Sequence, residues 1–134
     1  MRHFASESAE SYAVGVVDVI RWDQFGLNDV LPFQAMWYTV PPLSSSPRDQ
    51  HPELELSVVI SGTASVETGG NTVDVAQGAA FLLDSEEAHV IHNRSADVPL
   101  TIFTTFWMPR DAPTVEPAVA SEVARCAAAN REAQ

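Results

Sequence analysis

The chain has no lysine. Its seven basic residues are all arginine and stand against eighteen acidic ones, for a formal net charge of -11 over 134 residues. Without lysine, Schiff-base chemistry and the phosphate-gripping lysine of nucleotide loops are excluded. An acidic chain with no basic cluster repels phosphate backbones and anionic lipid surfaces, so neither a nucleic-acid nor a membrane partner is expected. Cysteine is almost as scarce. Cys126 stands alone in a polar, Ala-rich stretch, which excludes an internal disulfide and fits a reducing cytoplasm. No apolar run approaches the ~20 residues needed to span a bilayer. Met1 to Glu10 lacks the hydrophobic segment of a secretory signal. The expectation is one cytoplasmic domain, large enough to bury a core, whose partner is a small molecule.

Residues 1–11 are polar and read as a flexible N-terminal arm, and residues 109–134 as a Pro-rich, then Ala-rich C-terminal tail or helix. Between them, over 12–108, the pattern is that of strands. Val14, Val16, Val17, Val19 and Ile20 are β-branched and predict a strand over Tyr12 to Arg21. Gly26, Asn28 and Asp29 mark a connection. Phe33 to Val40 is a second strand, ended by Pro41 and Pro42, because proline cannot donate to a ladder. Leu43 to Gln50 is a loop. Glu53 to Ser61 and Thr63 to Glu67 make a hairpin, followed by a tight turn at Gly69-Gly70-Asn71. Thr72 to Val75, Ala79 to Leu83, His89 to His92 and Leu100 to Trp107 complete the set. Many short strands with Gly and Pro turns predict an all-β closed barrel or jelly roll.

The chemistry-bearing residues concentrate in two places. Asp49, His51 and Glu55 share odd parity, so an extended chain presents all three on one face. His89 opens a later strand. Two imidazoles and a carboxylate are the set that holds a divalent metal while leaving positions open for substrate or oxygen. Taken singly, each has a plainer role: His51 as a polar strand residue, Glu55 as an exposed carboxylate, His89 as a loop histidine after an acidic turn. His92 has the opposite parity to His89 and is not a ligand, and Asn93 is a turn cap. Alternation puts Glu53, Glu55, Ser57 and Val59 on one wall and Leu54, Leu56, Val58 and Ile60 on the other, and leaves open which faces in. Trp37 and Thr39 share a parity that lets them, with Ser57, line the barrel mouth as a substrate wall. The acid pair Glu86-Glu87 hints at a neutral or weakly polar substrate.

These spacings resemble the small single-domain cupins. That family's first motif is G-x5-H-x-H-x3-4-E-x6-G and its second G-x5-P-x-G-x2-H-x3-N. His51-x3-Glu55-x6-Gly62 fits the latter part of the first, while Gly78 and His89-x3-Asn93 fit the second. Asp49 stands where the family usually has its first histidine, and Asp84 and Glu86 stand where it has proline and glycine. The resemblance implies a cupin-type double-stranded β-helix in which His51, Glu55 and His89 hold one divalent transition metal, with Fe(II) or Zn favoured over Mn or Ni. Asp49 is then either a fourth ligand or a catalytic base.

Such proteins range from dioxygenases, isomerases, decarboxylases and cyclases to sugar-binding regulators and storage proteins. The resemblance implies a metal-dependent enzyme of biosynthetic tailoring, as in natural-product pathways. It would act on a small, largely apolar, carbonyl-bearing metabolite by cyclisation, isomerisation or Fe-dependent oxygenation. A non-catalytic small-molecule-binding module and a metal-free fold are the alternatives. Family members commonly pair at the N-terminal edge, so a homodimer through Val14 to Ile20 is expected. If Glu55 faces inward, the aliphatic wall behind it needs a cover, from a partner subunit or the C-terminal segment.

Overall fold

Among the described residues, short β-prone segments broken by glycine and proline fold into ten strands: β1 (Tyr12–Val14), β2 (Val17–Arg21), β3 (Gln34–Val40), β4 (Ser44–Ser45), β5 (Leu54–Ser61), β6 (Thr63–Thr68), β7 (Asn71–Ala76), β8 (Ala80–Leu83), β9 (His89–Asn93) and β10 (Leu100–Trp107). The structure is a computed structural model that describes residues 1–110; of the tail or helix expected over 109–134, all from residue 111 on, with Cys126, lies outside the described residues. Every pairing is antiparallel. One sheet runs β1-β2-β3-β10-β5-β8 and the other β4-β9-β6-β7. This is the all-β jelly roll that the turn spacing predicts. No helix among the described residues is long and apolar enough to cross a membrane.

The two sheets face each other across a core of Val17, Val40, Val59, Val66, Leu100 and Ile102, all buried. Burial along β5 settles which of its walls faces in. Glu55, Ser57 and Val59 are buried at 7%, 0% and 1% exposure, while Leu56 and Ile60 on the opposite side are 41% and 48% exposed. Leu82, paired with Leu56 across β8, extends the outer aliphatic stripe. The cover expected over that stripe, a partner subunit or the C-terminal segment, lies outside the described residues.

Two local outcomes differ from the sequence reading, each for a physical reason. Tyr12 to Arg21 is a hairpin rather than one strand, because Gly15 takes a φ of 61° and reverses the chain, pairing Tyr12 with Val19. Residues 1–11, read as a flexible arm, are docked by the lone aromatic Phe4. Its ring stacks on Phe25 with centroids 4.4 Å apart and meets Trp22 edge-on at 4.9 Å. Gln24 bonds both the backbone N–H and carbonyl of Glu10. Past β5, Gly62 permits a close approach: a Cβ there would sit 2.9 Å from the Pro99 carbonyl oxygen. Asn93, buried, donates to the carbonyls of Val40 and Val98 and accepts from Ser95 N–H, so it caps the loop before β10 as expected.

Candidate metal centre

Asp49 reaches the site through its backbone. It forms an isolated antiparallel bridge with His89, each N–H donating to the other's carbonyl at 3.0 and 2.9 Å. The segment before it is pinned by Ser46, whose N–H donates to the Ile91 carbonyl while its Oγ accepts from Ile91 N–H. His51 is tied to the acidic turn, where Glu86 N–H donates to its carbonyl at 2.7 Å. Glu55 is on the inner face of β5, and His89 opens β9 in the facing sheet. The jelly roll therefore brings together all four residues singled out in the sequence.

Their geometry is that of acceptors around a shared point. Glu55 Oε2 is 3.7 Å from His51 Nε2 and 3.6 Å from His89 Nε2, and Asp49 Oδ2 is 3.9 Å from His51 Nε2. Donor atoms of Asp49, His51 and His89 all lie within 4.8 Å of one another, so the three make a candidate metal site. The tautomers follow from the other ring nitrogens. His89 Nδ1 is 2.8 Å from the Glu87 carbonyl and His51 Nδ1 is 3.1 Å from the Glu53 carbonyl. A carbonyl can only accept, so both Nδ1 atoms carry a proton, and Nε2 of each ring is the atom that faces the carboxylates. At 3.6 to 3.9 Å these contacts are too long for hydrogen bonds, and the two Nε2 atoms and two carboxylates leave room for a cation between them. Two donors on one divalent metal, each at about 2.1 Å, sit roughly 3.0–3.4 Å apart, so the three pairs at 3.6 to 3.9 Å would each close by a few tenths of an ångström around one.

Behind the ligands runs a buried hydroxyl chain: Ser57 Oγ donates to Thr104 Oγ1 at 2.8 Å, and Thr104 Oγ1 donates to Glu55 Oε1 at 3.2 Å. Burial pushes the Glu55 carboxyl above the usual carboxylate range. His89, His51 and the Thr104 hydroxyl pull it part of the way back, and Asp49 raises it further. Burial first, and the Glu55 charge second, raise the Tyr38 phenol well above its ordinary value, so it stays a donor. Asp49 is different: its side chain is 64% exposed, with Oδ1 held by Gln50 N–H.

The candidate ligands open onto a cavity of about 390 Å³ whose apolar walls include Val17, Val19, Met36, Tyr38, Ile91 and Phe106. Trp37 and Thr39, expected at this mouth, are not among its walls. The even residues of β3 face in, and Trp37 packs outside against Trp22, centroids 5.0 Å apart, and Phe4. Both faces of β3 are apolar because both are covered, so parity alone gave no direction. Met36 and Tyr38 are among the cavity walls that the strand pattern does not single out. Ser57 faces inward as expected, but lies under Glu55 rather than on the cavity wall. His92 is on the outer side of β9, between Ser45 Oγ and Glu67 Oε2, and is no part of the site.

Among the described residues only two non-glycines have positive φ, Leu43 at 54° and Glu86 at 62°. Counting along the two motifs quoted above, both stand where the pattern has glycine. The backbone has kept the left-handed turns that bracket the site while the side chains have changed. Glu86→Gly is accordingly expected to stabilise the protein by about 0.5–1 kcal/mol in denaturant titrations, and Leu43→Gly likewise. No gain in either would show that the turns have relaxed to suit their side chains.

The chain matches the family described as Cupin domain over residues 36–106. Among solved structures it is similar to the plu4264 protein of Photorhabdus luminescens, at 25% identity and a TM-score of 0.66, with 80% of this chain and 86% of that one covered. It is also similar to a protein described as a predicted oxalate decarboxylase from Thermotoga maritima, at 19% identity and a TM-score of 0.68, covering 81% and 100%. A third is a cupin 2 conserved barrel domain protein from Salinispora arenicola, at 18% identity and a TM-score of 0.63, covering 93% and 95%. No curated protein matches. With the motif register, the jelly roll and a family match over more than half its length, the chain belongs to the cupin family.

Proposed function

We propose that this cupin is a metal-dependent enzyme acting on a small, largely apolar, carbonyl-bearing metabolite, with His51, Glu55 and His89 holding one divalent transition metal and Asp49 serving as base. The observation that carries the reading is the convergence of two imidazole Nε2 atoms and two carboxylates at 3.6 to 3.9 Å with no hydrogen bond between them. A metal bound there supplies Lewis acidity toward a carbonyl, or redox chemistry with dioxygen if it is iron(II).

The protein's own residues do the rest. Val17, Val19, Met36 and Phe106 hold an apolar body and exclude water from it. The Tyr38 phenol lines the same cavity and can donate to a substrate oxygen. Asp49 has one oxygen fixed by Gln50 N–H and the other turned toward the ligands, with solvent at its back to take protons away. That arrangement suits removal of a proton next to a carbonyl, the step that isomerisation and cyclisation share.

Exchange of the α-hydrogens of acetophenone and propiophenone in D₂O, followed by NMR, tests this. Zinc-loaded protein is expected to exceed the same concentration of free zinc, and Asp49→Asn to lower that rate by about 10²-fold, the scale of one general base, with zinc retained. Zinc-loaded protein no faster than free zinc would favour a binding module over an enzyme. An unchanged rate in Asp49→Asn would remove Asp49 from the chemistry.

A further inference from the structure

Two of the seven arginines of this acidic chain, Arg21 and Arg48, line the cavity that holds the candidate metal centre. Arg21 is the prearranged one. It ends β2 with the same parity as Val17 and Val19, whose side chains are buried in the interior. Its Nη2 donates to Gln34 Oε1 at 2.6 Å, and its Nε is 3.4 Å from Asp23 Oδ2. The guanidinium carbon lies 5.6 Å from the centroid of the Phe106 ring, another cavity wall. Gln34 and Asp23 hold one edge of the fork, and its Nη1 makes no hydrogen bond among the described residues. A guanidinium fixed over an aromatic wall, with N–H groups to spare, is built to take a carboxylate.

Asp49, Glu53 and Glu55 supply three carboxylates against the guanidiniums of Arg21 and Arg48, and Asp23 pairs with Arg21 from outside the walls. A divalent cation among the candidate ligands offsets that net negative charge, so the cavity does not repel an anion at Arg21. The acidic pair Glu86-Glu87, which hinted at a neutral substrate, is not among the walls of this cavity.

We infer that the substrate is an apolar monocarboxylate, its carboxylate seated on Arg21 and its carbonyl directed to the metal centre. The carbonyl half of this rests on the function proposed above; the carboxylate half rests on Arg21 alone.

The test uses 4-oxo-4-phenylbutanoate, which carries an aryl group, a ketone and a carboxylate, and its neutral amide. Binding of each to zinc-loaded protein is measured by calorimetry, with the zinc content of every sample determined separately. The acid is expected to bind at least about tenfold tighter than the amide, the scale of one charge-assisted fork. Arg21→Gln is expected to erase that preference by weakening the acid far more than the amide while leaving zinc content unchanged, and Arg21→Lys to restore part of it. Equal binding of acid and amide by the wild type overturns the inference. So does an acid preference that survives Arg21→Gln, which would seat the carboxylate on the metal or on Arg48. Equal weakening of both probes in Arg21→Gln would make Arg21 a structural strut and also overturns it. An Arg21-dependent preference in protein that binds no zinc would uphold the anchor and reject the metal reading.

Discussion

Glu55→Gln is expected to move two properties in opposite directions: the metal-free protein becomes more stable at neutral pH, and the metal is lost. The reason lies in where Glu55 sits. It is buried against Ser57 and Thr104, and its folded-state pKa is raised, chiefly by burial. A carboxyl with a raised folded pKa binds its proton more tightly in the folded than in the unfolded chain. Its stabilising contribution is therefore fully present below the unfolded value of about 4.3, and is lost as pH rises through the folded pKa. Metal-free wild type should thus weaken as pH climbs from about 4 toward neutrality. Glutamine keeps the shape and the acceptor for Thr104 without the charge, so the variant's melting temperature in EDTA should exceed that of the wild type at pH 7 and vary less over this range. With zinc the order reverses, because the amide is a poor ligand. A variant that melts with the wild type in EDTA at every pH would mean that Glu55 carries no buried-charge penalty.

The second large effect is His89→Ala. His89 is 6% exposed and its Nδ1 proton is fixed on the Glu87 carbonyl, so its Nε2 is the most constrained donor of the set. Loss of an outer partner of a metal ligand already costs 10–100-fold in affinity, and loss of the ligand itself should cost more. Wild type should keep close to one equivalent of metal through dialysis and His89→Ala almost none. At a metal concentration about 100-fold above Kd the wild type gains about 2.7 kcal/mol, on the order of 10 °C in melting temperature for a domain of this size. His89→Ala should show no such shift. A retained shift would move the metal elsewhere.

Much of this was readable from the residues, and the failures share a cause. Glu55, Ser57 and Val59 alternate with Leu56 and Ile60, and that alternation held because only one side of β5 is packed among the described residues. The ligand register was legible because its spacing spans two strands whose ends the fold joins at the Asp49–His89 bridge. β3 was opaque: its inner residues Met36 and Tyr38 and its outer residue Trp37 are all apolar, since Phe4, Trp22 and Phe25 cover the outside. The contribution of Phe4 could not be read from a single aromatic in a polar stretch. Arg21 went unnoticed for a different reason. An arginine at a strand end reads as a solvated charge until the fold sets it over Phe106. The left-handed turns at Leu43 and Glu86 have no signal in the residues themselves; only the motif register, which has glycine at both positions, points to them.

The central claim is that one divalent metal sits among His51, Glu55 and His89, with Asp49 at its edge. Anomalous diffraction at the zinc edge, from crystals of protein loaded with one equivalent of zinc, tests it most directly. The account predicts a single peak within about 2.3 Å of Nε2 of His51, Nε2 of His89 and Oε2 of Glu55. A peak at the outer His92–Glu67 pair instead, or no peak between β5 and β9, would contradict it.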